Sequence, residues 1–406
     1  MRDIIIVGGG ASGLIAAAIL ARHGKEVTLL EHNDKIGRKI LATGNGKCNF
    51  TNQFQEESCY RGEQPDYSWN LIQKYGPETF LSFLDTIGIV AKSKNGYYYP
   101  YSEQASTIVE ALRLELIFRK VKVKCQEHVT DISPIDGGYS VATKGYAYEA
   151  KKVILACGGK ATPVLGADGS GYELASKLGH TITPIFPALV GLKVDNKNKQ
   201  KLAGIRIKAD ISLLISGQQV TLESGEIQFT AYGISGIPVF QISRYAAKAL
   251  LSGEKVEVIL SLLPDFTKDE LLIYFEYQGV INAYKTILQT LQNLMDLRLA
   301  ENILEYVGLQ AKKRMDEIKI EELENLVSSI KEFRQRVTGT NGYEQAQVTG
   351  GGVNTQEINP ETLESNYHKG IYITGELMDV DGTCGGYNLQ WAFTSAYVAA
   401  MGALED

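Results

Sequence analysis

The sequence predicts an α/β fold in which a parallel-sheet domain is interrupted by a β-rich insertion and a helical insertion. A β-α-β unit with a glycine-rich turn begins near residue 4, and a second apolar strand runs into glycines at 153–159. Between about 190 and 333 the hydrophobic pattern changes to short strands and then to a 3.6-residue period, which is typical of amphipathic helices. These observations predict a Rossmann-like domain whose two parts flank the insertions.

The composition is that of an ordinary globular protein of about two to three domains. The chain has 406 residues, 44% of them hydrophobic and 22% charged, and a formal net charge of −6. This charge does not favour nucleic-acid binding. The five cysteines form no C-x-x-C pair, which fits a reducing compartment. No signal peptide precedes the first strand and no apolar run reaches about 18 residues, so we expect a cytoplasmic protein with neither a membrane nor a nucleic-acid partner.

The first unit carries a dinucleotide-binding motif. Its strand leads directly into GGGASG, which fits G-x-G-x-x-G. The three motif glycines permit a tight turn, close approach of the backbone to a pyrophosphate, and packing of the helix on the strand. The helix amides can receive phosphate charge, and an acid ends the second strand, where a carboxylate binds ribose hydroxyls. The predicted cofactor contacts here are Gly8, Gly10, Ala11, Ser12, Gly13, Glu31 and His32.

The segment after this acid favours FAD over NAD. Residues 33–52 form a polar loop rich in glycine and asparagine, where an NAD-dependent dehydrogenase would continue with another crossover helix. Exposed amides and basic side chains suit the pyrophosphate and ribitol of FAD. A solvated basic pair is the alternative for Arg38 and Lys39. The predicted contacts in the loop are Arg38, Lys39, Thr43, Gly44, Gly46, Lys47, Cys48 and Asn49.

Two later stretches return to the predicted cofactor. The strand 153–156 ends at a glycine pair, the first of which allows close approach to a dinucleotide. Near the C-terminus a glycine pair opens the last helix, and a helix N-terminus facing the flavin would stabilise negative charge on its reduced form. The predicted contacts are Ala156, Cys157 and Gly158, followed by Gly385, Gly386, Tyr387, Asn388 and Leu389.

The combination resembles a family of bacterial FAD-dependent oxidoreductases that includes a bile-acid-pathway reductase and an aminoacetone oxidase. The matching stretches are GRKILATGNGKCNFTN, VILACGGKATPVLGADGSGYELASKLGH, GEIQFTAYGISGIPVFQISR, QVTGGGVNTQEINPETLES and GIYITGELMDVDGTCGGYNLQWAFTSAYVAA. The resemblance implies that Val129 contacts the adenine and that Gly375 and Glu376 contact the ribitol or pyrophosphate. Cys157 stands where threonine is common in the family, so a hydroxyl contact is absent there.

The predicted organisation is a discontinuous, glutathione-reductase-like FAD domain with two insertions. The FAD domain comprises residues 1–188 and 338–406. Residues 189–265 are predicted to form an antiparallel β domain resembling a barrel, and residues 266–337 a helical subdomain.

The flavin is expected to carry the chemistry, with substrate bound between it and the insertions. We expect an FAD-dependent reductase of an activated C=C bond in a hydrophobic ketone, with NAD(P)H as possible transient donor although no second dinucleotide motif is present. The alternatives are an oxidase of a small amine that releases peroxide, and a non-catalytic flavin-binding partner protein. No metal-ligand cluster is visible. The weak catalytic candidates are Cys48, Asn49 and Tyr387; Tyr97, Tyr98, Tyr99 and Tyr232 are less secure, and Cys384 is a possible redox partner of Cys48.

Overall fold

The computed structural model describes residues 1–405 and divides the chain into two compact units. The first consists of Met1–Pro187 together with the segment from Ala346 onward, and the second is Ala188–Gln345. Each unit has its own buried apolar core. The β-rich and helical insertions fall within the same unit, whereas the sequence analysis separates them after residue 265.

The chain begins with most of the first unit. Its strands are β1 (Arg2–Val7), β2 (Val27–Glu31), β3 (Thr51–Asn52), β4 (Tyr60–Arg61), β5 (Ala91–Lys94), β6 (Tyr97–Pro100), β7 (Lys122–Cys125), β8 (Val129–Ile135), β9 (Gly138–Thr143), β10 (Ala147–Leu155) and β11 (Phe186–Ala188). Its helices are α1 (Ala11–Arg22), α2 (Arg38–Ala42), α3 (Pro65–Lys74), α4 (Pro77–Thr86), α5 (Ala105–Phe118) and α6 (Ser170–Lys177).

The second unit and the return segment follow. The second unit contains β12 (Leu192–Val194), α7 (Lys199–Leu202), β13 (Arg206–Ile215), β14 (Gln218–Phe229), β15 (Gly233–Ser235), α8 (Ile237–Leu251), β16 (Val256–Ser261), α9 (Lys268–Ile281), α10 (Ile287–Leu291), α11 (Leu297–Val307), α12 (Ile320–Lys331) and β17 (Phe333–Thr340). The return to the first unit contains β18 (Val348–Gly350), β19 (Ile371–Ile373), β20 (Asp381–Gly382) and α13 (Tyr387–Leu404).

The first unit is built on the sheet β7-β2-β1-β10-β9-β8, in which β19 also pairs with β10. The pairs of β1 with β2 and β10, and of β10 with β19, are parallel, while β8, β9 and the first half of β10 form an antiparallel meander. A parallel strand covered on both faces is apolar along its length, as Ile4, Ile5 and Ile6 illustrate. The predicted Rossmann-like fold is therefore confirmed.

The second unit contains a closed barrel with the order β12-β15-β14-β13-β16-β17, and the predicted barrel-like character is confirmed. The sequence indicates two strands between 218 and 230, because Ser224 and Gly225 read as a turn. The structure has one strand there, since Ala209 of β13 pairs with Gly225 and the ladder continues past it. β17, which begins where the helical pattern ends, pairs with both β16 and β12 and closes the barrel.

The T-x-x-E spacing at Thr267 and Glu270 predicts a capping box at the start of a helix. The structure has it at the start of α9, where the Thr267 hydroxyl accepts the Glu270 amide and the Glu270 carboxylate accepts the Thr267 amide. Within residues 1–405, no helix combines the length and the apolar character that crossing a bilayer requires.

Candidate functional site

The glycine-rich turn joins β1 to α1 in a conformation that other residues would disturb. Gly8 has φ +108°, and its amide donates to the Leu30 carbonyl. A Cβ on Gly13 would lie 1.9 Å from the Gly8 carbonyl oxygen, whereas a Cβ on Gly10 would meet no atom within 4 Å. Gly13 is thus required by packing, and Gly10 borders open space.

That open space belongs to a cleft of about 1250 Å³, its open mouth included, in the first unit. The cleft is lined from both ends of the chain, as the predicted convergence on one cofactor requires. The predicted residues that line it are Gly8, Gly10, Ala11, Ser12, Glu31, His32, Arg38, Lys39, Thr43, Val129, Ala156, Cys157, Gly158, Glu376, Asn388 and Leu389.

Ten predicted cofactor residues are not part of the lining, and the structure gives several of them another role. Gly13 lies beneath the turn, and Gly375 has φ +70° and packs against Ser12. Gly386, with φ +95°, packs against the Thr51 backbone at the start of α13. The remaining seven are Gly44, Gly46, Lys47, Cys48, Asn49, Gly385 and Tyr387.

The Glu31 carboxylate is buried and held in place by donors from two segments. One oxygen accepts the Gly9 amide at 2.7 Å, and the other accepts the Asn33 amide and side chain at 2.8 and 2.6 Å. Asn33 in turn accepts from the Arg38 guanidinium at 2.6 Å, and Arg38 also donates to the Val164 carbonyl at 2.9 Å. Arg38 is therefore hydrogen-bonded into the cleft wall, while 35% of its side chain remains exposed.

Lys39 and Glu376 meet within the cleft although 337 positions separate them. Their Nζ and Oε2 atoms are 2.7 Å apart, and both side chains are largely buried. The second oxygen of Glu376 accepts the Thr349 amide at 2.8 Å. This pair joins the segment after β2 to the segment after β19, and both residues line the cleft.

Several lining residues were not predicted, among them Asn33, Lys35, Glu127, His128, Gln347 and Trp391. Asn33 and Lys35 follow Glu31, and His128 precedes Val129, so their proximity to predicted residues was a usable signal. The His32 and His128 rings pack edge to face with centroids 5.7 Å apart. Trp391 is fully buried and donates its indole N–H to the Gly375 carbonyl at 3.1 Å; nothing local in the sequence indicated this.

Two cysteines of the predicted site, Cys48 and Cys157, have raised thiol pKa values. Burial raises the pKa of the Cys48 thiol to about 11 and that of Cys157 to about 12. A nucleophilic or redox-active cysteine needs a lowered pKa and access to solvent. Neither thiol has this character, which disfavours a dithiol centre involving Cys48.

The tyrosine candidates Tyr97, Tyr232 and Tyr387 each pack against residues of the unit to which they belong. The Tyr387 ring is buried and meets the Tyr60 ring edge to face at 5.8 Å. Burial, followed by its contact with the Cys59 side chain, raises the pKa of Tyr387 well above its ordinary value. Tyr97 packs on Gly385 in the first unit, while Tyr232 packs on Gly191 in the second.

The lining has the chemistry that FAD requires. The cleft is bordered by Ala11 and Ser12 at the start of α1 and by Asn388 and Leu389 in the first turn of α13. The first amides of a helix have no intrahelical partner and carry partial positive charge. A Cβ at Gly10 or Gly158 would project into open space, so the absence of side chains at these positions leaves room for a ligand against the backbone. Lys35, Arg38 and Lys39 add positive charge. The residues present therefore fit a dinucleotide.

Comparison with known proteins gives a consistent assignment. A family model described as the HI0933-like protein Rossmann domain matches residues 2–402. A 3-dehydro-bile acid delta(4,6)-reductase from Clostridium scindens is 42% identical over 407 residues, which span 100% of each chain. A ribosomal RNA dihydrouridine synthase from Haemophilus influenzae is 34% identical over 98% of this chain and 97% of its own.

Among solved structures, a 3-ketosteroid delta1-dehydrogenase from Sterolibacterium denitrificans is similar, with a TM-score of 0.50 over 100% of both chains. At 13% identity this similarity concerns the fold alone.

Proposed function

From the premise that this chain belongs to the HI0933-like Rossmann-domain family and is an FAD-dependent oxidoreductase, we propose a specific reaction. The protein reduces a carbon–carbon double bond conjugated to a ketone in a hydrophobic small molecule, and NAD(P)H supplies the electrons.

The observation that carries the proposal is the 42% identity to the bile-acid reductase along both full lengths. That name denotes saturation of double bonds in a 3-oxo compound. The name of the RNA-modifying relative denotes saturation of uridine, whose double bond is also conjugated to a carbonyl. The two names share a reaction class and differ in substrate. The higher identity favours the small ketone, and the net charge of −6 does not favour RNA.

The residues of the cleft have distinct tasks in this proposal. Gly10 and the first amides of α1 would hold the pyrophosphate, and Glu31 would hold the ribose. The N-terminus of α13, at Asn388 and Leu389, would stabilise negative charge on the reduced flavin. Bound FAD supplies hydride transfer. The neutral Cys48 and Cys157 take no part in electron transfer.

The electron donor is proposed to dock transiently. The second glycine cluster, at 350–352, does not offer another dinucleotide turn, because it is used for packing. A Cβ on Gly350 would lie 2.3 Å from the Phe186 ring, and one on Gly351 would lie 2.2 Å from the Pro184 carbonyl oxygen. NAD(P)H therefore has to reach the flavin without a second Rossmann turn of its own.

Anaerobic stopped-flow spectroscopy tests the proposal in two half-reactions. The oxidised holoprotein is mixed with NADH or NADPH while the flavin absorbance is followed. The chemically reduced holoprotein is then mixed with a 3-oxo-4,6-diene bile acid, and the product is analysed by mass spectrometry. The matched control is the corresponding saturated 3-oxo bile acid. Aminoacetone is mixed with the oxidised holoprotein, and peroxide is measured after air is admitted. Unmodified ribosomal RNA is mixed with the reduced holoprotein.

We expect the dienone to reoxidise the flavin and to gain two hydrogens for each double bond reduced, whereas the saturated ketone does neither. The proposal is wrong if the dienone reoxidises the flavin no faster than the saturated ketone. Bleaching by aminoacetone with peroxide release would assign the oxidase activity instead, and dihydrouridine in the RNA arm would assign the RNA activity.

A further inference from the structure

Residues 161–169, which we call the strap, form one side of the cleft. The strap lies between β10 and α6, and its ends have left-handed backbone at Thr162 and Gly169, with φ of +59° and +83°. Its middle residues 165–167 line the cleft, whereas Val164 is 72% exposed. A single layer of chain therefore separates this side of the cleft from solvent.

The strap lies opposite the segment 32–38, on the other side of the turn that follows β1. In the sheet, β1 has β2 on one side and β10 on the other. The segment 32–38 leaves the carboxyl end of β2, and the strap follows the carboxyl end of β10. The carboxyl ends of parallel strands share one edge of the sheet, which is where ligands bind in such folds. The two segments therefore flank the glycine turn at which the pyrophosphate is proposed to bind.

The strap and the segment 32–38 touch each other. The Arg38 guanidinium donates to the Val164 carbonyl at 2.9 Å, across 126 positions of the chain. Gly166 lies so close to Asn33 that a Cβ on it would come within 2.1 Å of the Asn33 Nδ2 atom. Within residues 1–405, the bond from Arg38 is the single hydrogen bond by which residues 163–167 reach beyond the strap. The middle of the strap is thus held to the opposite side by one polar contact.

The ends of the strap, in contrast, are fixed within their own surroundings. At the first end, the Thr349 hydroxyl accepts the Ala161 amide at 3.0 Å. At the second end, the Asp168 carboxylate accepts the amide and the hydroxyl of Ser170 at 2.9 and 2.6 Å. A segment that is fixed at both ends and joined across the cleft at one point can lift in its middle by changes at a few backbone positions.

We propose that the strap is a lid for FAD and that the bond between Arg38 and Val164 is its latch. Because a dinucleotide at the glycine turn would lie between the strap and the segment 32–38, the two have to part for it to enter or leave. Opening of the latch therefore limits both the association and the dissociation of FAD. The proposal depends on the cofactor alone and is independent of the reaction assigned above.

A latch and a simple charge contact predict opposite changes in the association rate. Losing a cation from the cleft slows the encounter with an anionic ligand, because the attraction that steers it is weaker. Losing a latch speeds association and dissociation together, since opening precedes both steps, and their ratio, which is Kd, changes little. The sign of the change in association rate therefore decides which role Arg38 has.

Stopped-flow fluorescence of the full chain measures the two rates. FAD is mixed with deflavinated protein to follow association, and the FAD-loaded protein is mixed with an excess of another FAD-binding apoenzyme, which traps released FAD, to follow dissociation. We expect Arg38→Met to raise both rates about tenfold, because one hydrogen bond to a charged group is lost, and to change Kd much less than either rate. Gly166→Ala, whose Cβ would push the strap away from Asn33, should act in the same direction. Lys39→Met should raise the dissociation rate alone.

A matched control and a second measurement accompany these variants. Gly88→Ala is the control for Gly166→Ala, because Gly88 also has a positive φ, +80°, and a Cβ there meets nothing within 4 Å; it should change neither rate. Hydrogen exchange of the deflavinated protein should be faster at residues 163–167 in Arg38→Met than in the wild type. Circular dichroism checks that each variant is folded.

The outcomes separate the possible roles of Arg38. An association rate that is unchanged or slower in either Arg38→Met or Gly166→Ala overturns the proposal. If Arg38→Met speeds dissociation alone, Arg38 contacts the cofactor directly and is no latch. Equal hydrogen exchange of residues 163–167 in Arg38→Met and the wild type also overturns it, because the strap would then open independently of this bond.

Discussion

The two glycines that flank the first turn of α1 are expected to fail in opposite ways when each is replaced by alanine. Gly10→Ala should leave the stability of the apoprotein unchanged and abolish tight FAD binding. Its φ of −81° suits alanine, and the added methyl meets no protein atom within 4 Å. The methyl instead occupies the space in which the pyrophosphate would approach the backbone.

The size of each effect follows from the contacts. Losing two charge-assisted hydrogen bonds to the pyrophosphate costs about 3–6 kcal/mol, which corresponds to about 10²–10⁴-fold in Kd. Gly13→Ala places a Cβ 1.9 Å from the Gly8 carbonyl oxygen, against the 3.0 Å or more that real contacts keep. The backbone must shift, and such overpacking costs about 1–3 kcal/mol or more. For a chain of 406 residues this corresponds to roughly 1 °C in Tm per kcal/mol, because the unfolding entropy grows with chain length.

Two measurements separate these effects. FAD is titrated into deflavinated protein by isothermal calorimetry, and apoprotein unfolding is followed by differential scanning calorimetry. Gly145→Ala, a position at which a Cβ also meets nothing within 4 Å but which lies away from the cleft, is the control and should change neither quantity. Gly10→Ala with unchanged FAD affinity would refute the placement of the pyrophosphate at this turn.

Three further predictions concern charged and thiol groups. Lys39→Met should weaken FAD binding about 10–100-fold and reduce its salt dependence, because one cation lining the cleft is lost; titrations at low and high salt check this, and an unchanged affinity would contradict it. Burial lowers the pKa of His180 from its ordinary value near 6.5, so the unfolded chain takes up this proton first. The contribution of His180 to the free energy of unfolding should therefore be full above about pH 6.5 and decline as the pH falls through and below that value. His180→Gln should lose this pH dependence in urea titrations at several pH values. Equal slopes of the free energy of unfolding against pH in the two proteins would refute the argument. Since burial raises the pKa of Cys48 to about 11, native protein should resist alkylation there at pH 8, and Cys48→Ser should keep its flavin reduction rate within about twofold; rapid labelling of Cys48 in a mass-spectrometric time course would contradict this.

Much of the fold could be predicted because its signals are local. The turn at Gly8 and Gly10 and the capping box at Thr267 depend on residues within a few positions of one another, so their spacing is enough to indicate the structure. The β14 strand shows the limit of the same reasoning. Gly225 reads as a turn by propensity, but its pairing with Ala209 across the barrel decides its conformation.

Part of the candidate site could be predicted because its signals are also local. Residues next to the glycine turn and residues next to Glu31 line the cleft. Cys48 and Tyr387, which were chosen for their chemistry, lie outside its lining. Their burial depends on neighbours such as Tyr60 that no local pattern connects to them.

By itself, the order of residues determined a Rossmann-like α/β domain, a β-rich insertion, a helical segment and a glycine-rich dinucleotide turn, because period and spacing act over a few residues. Only the tertiary structure decided that Lys39 meets Glu376, that Arg38 supports Glu31 through Asn33, and that the strap meets the segment after β2. These features join segments up to 337 positions apart, and the free energy of such contacts exists only once the chain has folded.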